Sequence, residues 1–222
     1  RGEHRRLAAL ITRLENATCD KRLRQELLAR AAGIKNVPVL GITGTGGSGK
    51  SSLTDELVRR FRLDQHDSLR IALIAVDPSR RKSGGALLGD RIRMNSIASP
   101  AIYMRSLATR AGGGEISPCL PNVIAACKVA GFNLVMIETS GIGQGDAAIV
   151  PLADVALYVM TPEYGAPSQL EKIDMLDFAH FVAINKSDRK GAQDALRDVR
   201  KQVQRNRKVF RKSPEDMPVF GT

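Results

Sequence analysis

The sequence predicts an α/β fold with a mainly parallel sheet between two layers of helices. Two observations predict it. Short apolar runs alternate with stretches of helical periodicity along most of the 222 residues, the pattern of parallel strands joined by crossover helices. A glycine-rich turn, Gly44-Thr45-Gly46-Gly47-Ser48-Gly49-Lys50-Ser51, stands between an apolar run at 38–43 and an amphipathic stretch at 52–61. That turn fits G-x-x-x-x-G-K-[ST] without adjustment, in the strand-to-helix context the motif needs. The expected fold is therefore a three-layer P-loop NTPase fold carrying an N-terminal helical extension.

Residues 1–35 are expected to form that extension or linker. Leu7, Leu10, Ile11 and Leu14, then Leu23, Leu27, Leu28 and Ala31, recur at helical spacing. Asp20 can cap the second half and Gly33 can end it. The expected role is a packing brace. Residues 36–222 are expected to form the nucleotide-binding domain, ending before a last base-contact loop. The first residues lack Met and an apolar signal-peptide core, so the start reads as internal to a longer polypeptide or trimmed.

In the glycine-rich turn, backbone N–H groups can curl around phosphate oxygens while the following helix adds positive potential. Contacts to a nucleoside triphosphate are expected from Gly44, Thr45, Gly46, Gly47, Ser48, Gly49, Lys50, Ser51 and Ser52. Lys50 reaches the β- and γ-phosphates, and the Ser51 hydroxyl ligates Mg2+. Next, residues 70–77 read as a buried strand ending in the carboxylate of Asp77, at the edge where open α/β sheets bind ligands. Residues 78–85 read as a polar loop, and 86–94 resume a helical pattern.

A short strand is expected at 101–105, a flexible glycine loop at 111–114 and a helix at 122–130. Residues 132–138 read as a strand ending in Glu138, followed by a glycine-rich loop over 139–146. Further strands are expected at 155–160, 181–184 and from Pro218. Residues 161–169, interrupted by Pro162, Gly165 and Pro167, read as a mobile connection, and 189–209 as a basic helix.

Glu138 and Gly141 form E-x-x-G, similar to the D-x-x-G of GTPases. Glu138 is expected to hold magnesium through water, and Gly141 to offer its N–H to the γ-phosphate. Asn185-Lys186-Ser187-Asp188 fits N-K-x-D. Guanine presents N1–H and N2–H₂ side by side, and the Asp188 carboxylate can accept both. Adenine would leave that carboxylate unpaired. Asn185 is expected to brace the loop and contact the base edge, and the Lys186 stem to cover the ring. GTP and GDP are thus the expected nucleotides.

Composition narrows the remaining classes. The net charge is +11, but the excess sits in the flanks. Residues 1–35 carry nine Lys/Arg against four Asp/Glu, and 189–212 carry ten against two, whereas 36–188 balance. With aromatics at 4% and no stacking motif, the charge reads as solvated or docking faces and not as a nucleic-acid surface. No apolar run approaches the roughly 18–20 residues that cross a bilayer. Three cysteines without C-x-x-C pairing point to a reducing compartment, with cytoplasm the expectation.

These motifs, with Asp77-Pro78-Ser79, Gly84-Gly85, Leu88-Gly89-Asp90, Arg93-Met94 and Glu138-Thr139-x-Gly141-x-Gly143-Gln144, resemble the MeaB and ArgK group of SIMIBI GTPases, which serve adenosylcobalamin-dependent mutases. Within the group the chain is most similar to the G-domains fused to their mutase. The resemblance implies magnesium-linked acids at Asp77, Asp90 and Glu138, and switch segments near 78–94, 139–150 and 161–172. Gln144 is a candidate to position water. The resemblance further implies a chaperone that gates cofactor loading and protects the mutase. Its partners would be B12-binding and substrate-binding mutase domains, with adenosylcobalamin held only there, in a homodimeric whole. A free-standing chaperone GTPase, a nickel-insertion GTPase and a nonhydrolysing GTP-responsive module are the alternatives.

Overall fold

A computed structural model of the protein describes residues 2–16, 18–77, 94–109, 116–141, 146–165 and 167–222. Among them are β1 (Val39–Gly44), β2 (Ile71–Asp77), β3 (Ile102–Ala108), β4 (Leu134–Thr139), β5 (Val155–Met160), β6 (Phe181–Ile184) and β7 (Val219–Gly221). The helices are α1 (Gly2–Glu15), α2 (Lys21–Ala32), α3 (Lys50–Asp64), α4 (Leu120–Val129), α5 (Pro167–Leu170), α6 (Met175–Phe178) and α7 (Ala192–Asn206). The seven strands form one parallel sheet in the order β3-β2-β4-β1-β5-β6-β7. The fold is the expected P-loop NTPase α/β class. The chain divides into two compact units, residues 1–40 with 51–140 and residues 41–50 with 141–222.

In the first unit β2 lies between β3 and β4, with Ala75 opposite both Ser106 and Glu138. Every residue of β2 is buried. That explains why its sequence is an unbroken apolar run and not an alternation, because helices cover both faces of such strands. Helices α1 and α2 pack on α4, whose residues Leu120 and Val123 to Cys127 are buried. Burial pushes the Cys127 thiol up to about 12.

Helix α1 is the expected brace. Leu7, Ile11 and Leu14 are its buried stripe. The His4 ring sits 5.4 Å from Tyr103 and 6.1 Å from Phe132, and the Arg70 guanidinium lies 5.0 Å from the Phe132 centroid. Burial, followed by neighbouring positive charge including Arg70, holds the His4 imidazole below its usual range. Glu3 pairs with Arg70 at 3.0 Å, and the largely buried Glu15 pairs with Arg105 at 2.7 Å. The expected caps are present on α2: Asp20 accepts from the Arg22 N–H, and Gly33 is the C-cap.

In the second unit β5, β6 and β7 are in parallel register, with Met160 opposite Ile184 and Ile184 opposite Gly221. Ala195, Val199 and Val203, spaced four apart on α7, meet Tyr158, Met160, Val182, Ile184 and Val219 in one buried cluster. Helix α7 is shorter than the basic stretch 189–209. Gly191 enters it in the left-handed region, and Lys208, at φ 54, lies beyond its end.

Residues 161–169 differ more from expectation. They hold a 3₁₀ turn, Pro162–Tyr164, and the start of α5. A proline read as a breaker instead opens a helix, because its missing N–H would have no intrahelical partner in the first turn. The same holds for Pro121, which lets α4 begin before Asn122. Strand β3 runs three residues past 105 because it pairs with β2 to Ala108. The helical pattern at 86–93 and the glycine loop at 111–114 lie outside the described residues. No described helix is long and apolar enough to cross a membrane.

Ile11 is fully buried, so Ile11→Ala is expected to cost about 2–5 kcal/mol of stability. Exposed Arg6→Ala should stay within about 0.5 kcal/mol. Urea denaturation of both variants checks this, and equal midpoints would show that α1 does not brace the unit.

Candidate functional site

Strand β1 delivers the chain to Gly44, which sits at φ +143. The next N–H, of Thr45, donates to Val159 O at 3.1 Å. A Cβ on Gly44 would stand 1.8 Å from that same Val159 oxygen. Gly141, at φ +69, closes from another side, since its Cβ would lie 1.9 Å from Gly44 O and 2.3 Å from Lys50 Nζ. Only glycine allows three backbone segments to meet this closely.

Lys50 opens α3 and is 6% exposed. Its Nζ donates to Gly44 O and Thr45 O, both at 2.9 Å. The ammonium is thereby curled over the loop it follows. The Oγ atoms of Thr45 and Ser48 are buried with no partner among the described residues, polar atoms of the kind that normally find one. A cavity of about 470 Å³ adjoins Thr45, Gly46 and Gly141 and is lined further by Tyr164, Gln169 and Lys172. Its size suits a small ligand.

The N-K-x-D stretch leaves β6 and is tied directly to the phosphate loop. Asn185 Nδ2 donates to Ser48 O at 2.8 Å, while Asn185 Oδ1 accepts from the Lys186 N–H at 2.9 Å. One side chain therefore fixes both the loop before it and the turn after it. Lys186 adopts φ +62 and its Nζ donates to Gly47 O at 2.8 Å. Sequence reasoning gave its stem a role over the base and missed where its head would go. Asp188 is exposed.

In the other unit, Ser51 Oγ donates to Glu138 Oε1 at 2.5 Å. Glu138 pairs in register with Ala75, and Asp77 is two residues further along β2, so both acids project from one face. Both are buried, at 5% and 6% exposure. A hydroxyl and two carboxylates are hard-oxygen donors, the set magnesium takes. Buried carboxylates at neighbouring strand ends also need a cation or donors to offset their desolvation. The residues present fit the ion. Ser52 is exposed on the first turn of α3. Asp90 and Gln144 lie outside the described residues.

Two polar residues that no motif flagged meet beside the N-K-x-D turn. Glu163, in the 3₁₀ turn after β5, pairs with Arg189 at 2.5 Å. Thr161, the Glu163 backbone and Arg189 together hold the Glu163 carboxyl down to about 2. Arg189 directly follows Asp188, and Glu163 lies in the segment 161–172 that family resemblance marks as a switch.

Comparison with known proteins places these features in a family. The family model of MeaB, the methylmalonyl Co-A mutase-associated GTPase, matches residues 7–217. A fused isobutyryl-CoA mutase of Cupriavidus metallidurans is 72% identical over 221 residues, covering 100% of this chain and 20% of that protein. One from Paraburkholderia xenovorans is 68% identical over 222 residues, covering 98% of this chain and 17% of that protein. The chain thus spans about a fifth of the length of these curated relatives. Among solved structures, an LAO/AO transport system kinase superposes with a TM-score of 0.63 at 22% identity, covering 99% of this chain and 67% of that one. That likeness speaks for the fold.

The backbone contacts make Gly44 and Gly47 unequal. Gly44→Ala drives a methyl into Val159 and is expected to cost about 3 kcal/mol or more. Gly47, at φ +72 with open space around its Cβ position, should cost only about 1 kcal/mol on the same change. Urea midpoints of the two variants check the difference, and equal losses would contradict the close approach at residue 44.

Proposed function

The chain belongs to the MeaB family of methylmalonyl-CoA mutase-associated GTPases, and on that premise we propose that it binds GTP with magnesium and hydrolyses it as the G-protein chaperone domain of an adenosylcobalamin-dependent acyl-CoA mutase. The observation that carries this reading is the bond from Asn185 to Ser48 O. It holds a loop with guanine-reading chemistry at a fixed distance from a loop with phosphate-binding chemistry, as one nucleotide requires.

In this reading the Asp188 carboxylate accepts the N1–H and N2–H₂ of guanine. The loop N–H groups from Gly46 to Ser51 and the Gly141 N–H face phosphate oxygens, and Lys50 exchanges its carbonyl partners for the β- and γ-phosphates. Ser51, Asp77 and Glu138 would hold magnesium, with Asp90 the further acid implied by family resemblance. The ion would supply charge neutralisation for the triphosphate. Water attacks the γ-phosphorus in line, the bond to the β–γ bridging oxygen breaks, and GDP and phosphate leave without a covalent intermediate. Gln144 is the candidate to orient that water.

The high identity to fused isobutyryl-CoA mutases across the whole chain supports a place beside B12-binding and substrate-binding domains. Adenosylcobalamin would be held there, in a homodimeric cytoplasmic protein. The G-domain would gate cofactor loading and protect the mutase.

Calorimetric titration with GTP, GDP and ATP in the presence of magnesium tests the core of the proposal. Guanine nucleotides should bind the wild type at least about a hundredfold more tightly than ATP, and Asp188→Ala should abolish that ratio. Equal ATP binding would sink the guanine reading. Single-turnover assays with and without the mutase domains address hydrolysis. Lys50→Ala should lower the rate by about 10² or more, and a wild type that does not turn over would reduce the domain to a GTP-responsive module.

A further inference from the structure

The N-K-x-D turn places a problem beside its own carboxylate. Arg189 follows Asp188 directly, and a guanidinium offers five N–H donors in a fork that matches a carboxylate. Consecutive Arg and Asp side chains can meet in this protein: Arg197 and Asp198 lie 3.3 Å apart. Arg189 bound to Asp188 would occupy the oxygens that guanine's N1–H and N2–H₂ require.

The structure sends Arg189 elsewhere. Its NH1 donates to Glu163 Oε1 at 2.5 Å. Glu163 sits on a stiff support. The Tyr164 N–H returns to Thr161 O at 3.1 Å and the Gly165 N–H to Pro162 O at 3.0 Å, closing the 3₁₀ turn. Gly165 packs so closely on α7 that a Cβ there would stand 2.5 Å from the Ala195 methyl. Arg189 is equally constrained at its backbone, since its N–H donates to Lys186 O and its carbonyl accepts from Ala192, at 3.0 and 3.2 Å. The charge on Glu163 is secure at physiological pH, because Thr161, its own backbone and Arg189 hold its carboxyl at about 2. Exposed pairs of this kind, here 49% and 52% exposed, add little to stability.

We infer that Glu163 is a positioning residue for base selectivity: by holding Arg189, it keeps both oxygens of Asp188 open to the guanine edge. The inference rests on the guanine reading of Asp188 given above. Glu163 acts through Arg189.

The role separates from a simple structural tie by rescue. A tie is lost when either partner goes and cannot be restored by removing both. A sequestered competitor is harmless once it is itself removed. Affinities for GDP, IDP and ADP with magnesium would be measured by calorimetry for the wild type, Glu163→Ala, Glu163→Gln, Arg189→Ala and Glu163→Ala/Arg189→Ala. IDP lacks the 2-amino group, so its contact with Asp188 is already halved.

Expected are a loss of about tenfold in GDP affinity for both Glu163 variants and a GDP-to-IDP ratio falling toward one, as loss of a paired donor contact predicts. Arg189→Ala and the double variant should both bind GDP within about threefold of the wild type. A double variant as weak as Glu163→Ala, or equal losses for GDP and IDP, overturns the inference in favour of loop packing. Unchanged affinity in the Glu163 variants, with guanine preference intact, overturns the role of Glu163 alone. A wild type that binds GDP and ADP equally removes the guanine reading and this inference together.

Discussion

The phosphate side of the molecule depends on the absence of a side chain at residue 44. The Val159 carbonyl stands where a Gly44 Cβ would be, and the Gly44 carbonyl where a Gly141 Cβ would be. Three segments distant in sequence can therefore share one point. From it the loop turns, and Lys50 folds back to the Gly44 and Thr45 carbonyls. A methyl at residue 44 would move β1 away from β5 and carry the mouth of the loop with it. Steric permission at one residue thus sets where phosphate can sit, whatever chemistry Lys50 and Ser51 offer.

Local chemistry was legible in the sequence and long-range pairing was not. The phosphate loop and the N-K-x-D turn are recognisable because each encodes a local backbone path within a few residues, glycines at the one and an asparagine brace at the other. The caps on α2 are equally local. Asn185 was rightly read as a brace, but the carbonyl it holds is 137 residues away, and nothing in spacing reveals that register. The same holds for Ser51 and Glu138, 87 residues apart. Residues 161–169 hold more local structure than their composition suggested, for the opposite reason. Pro and Gly score as breakers in isolation, yet Pro162 opens a 3₁₀ turn and Gly165 is small because Ala195 lies against it. Tertiary contact decided what those residues do.

Part of the positive charge is engaged within the fold. Arg200 on α7 donates to Val219 O at the start of β7, and Arg207, just past the helix end, to Ala179 O. Arg105 reaches Thr12 and Glu15 on α1, and Arg62 reaches Ser96 O and Asp67. Arg200 and Arg207, from the basic flank at 189–212, thus serve as donors to carbonyls, whereas Arg62 and Arg105 lie in the charge-balanced body. Guanidinium suits that task because its fork can serve two acceptors at once.

The turn around Asp188 is where such cations would do harm, since any of them could cover the carboxylate. Lys186, two residues before it, is engaged by Gly47 O, and Arg189, one residue after it, by Glu163. Both acceptors lie outside the turn, one on the phosphate loop and one on the turn after β5. The two bonds use a common solution: each flanking cation is tied to a neighbouring segment, so that positive charge remains near the nucleotide while Asp188 stays exposed. The same bonds link three segments that one nucleotide would touch. On the guanine reading proposed for Asp188, base selectivity in this unit would depend on where its cations are held as much as on that carboxylate.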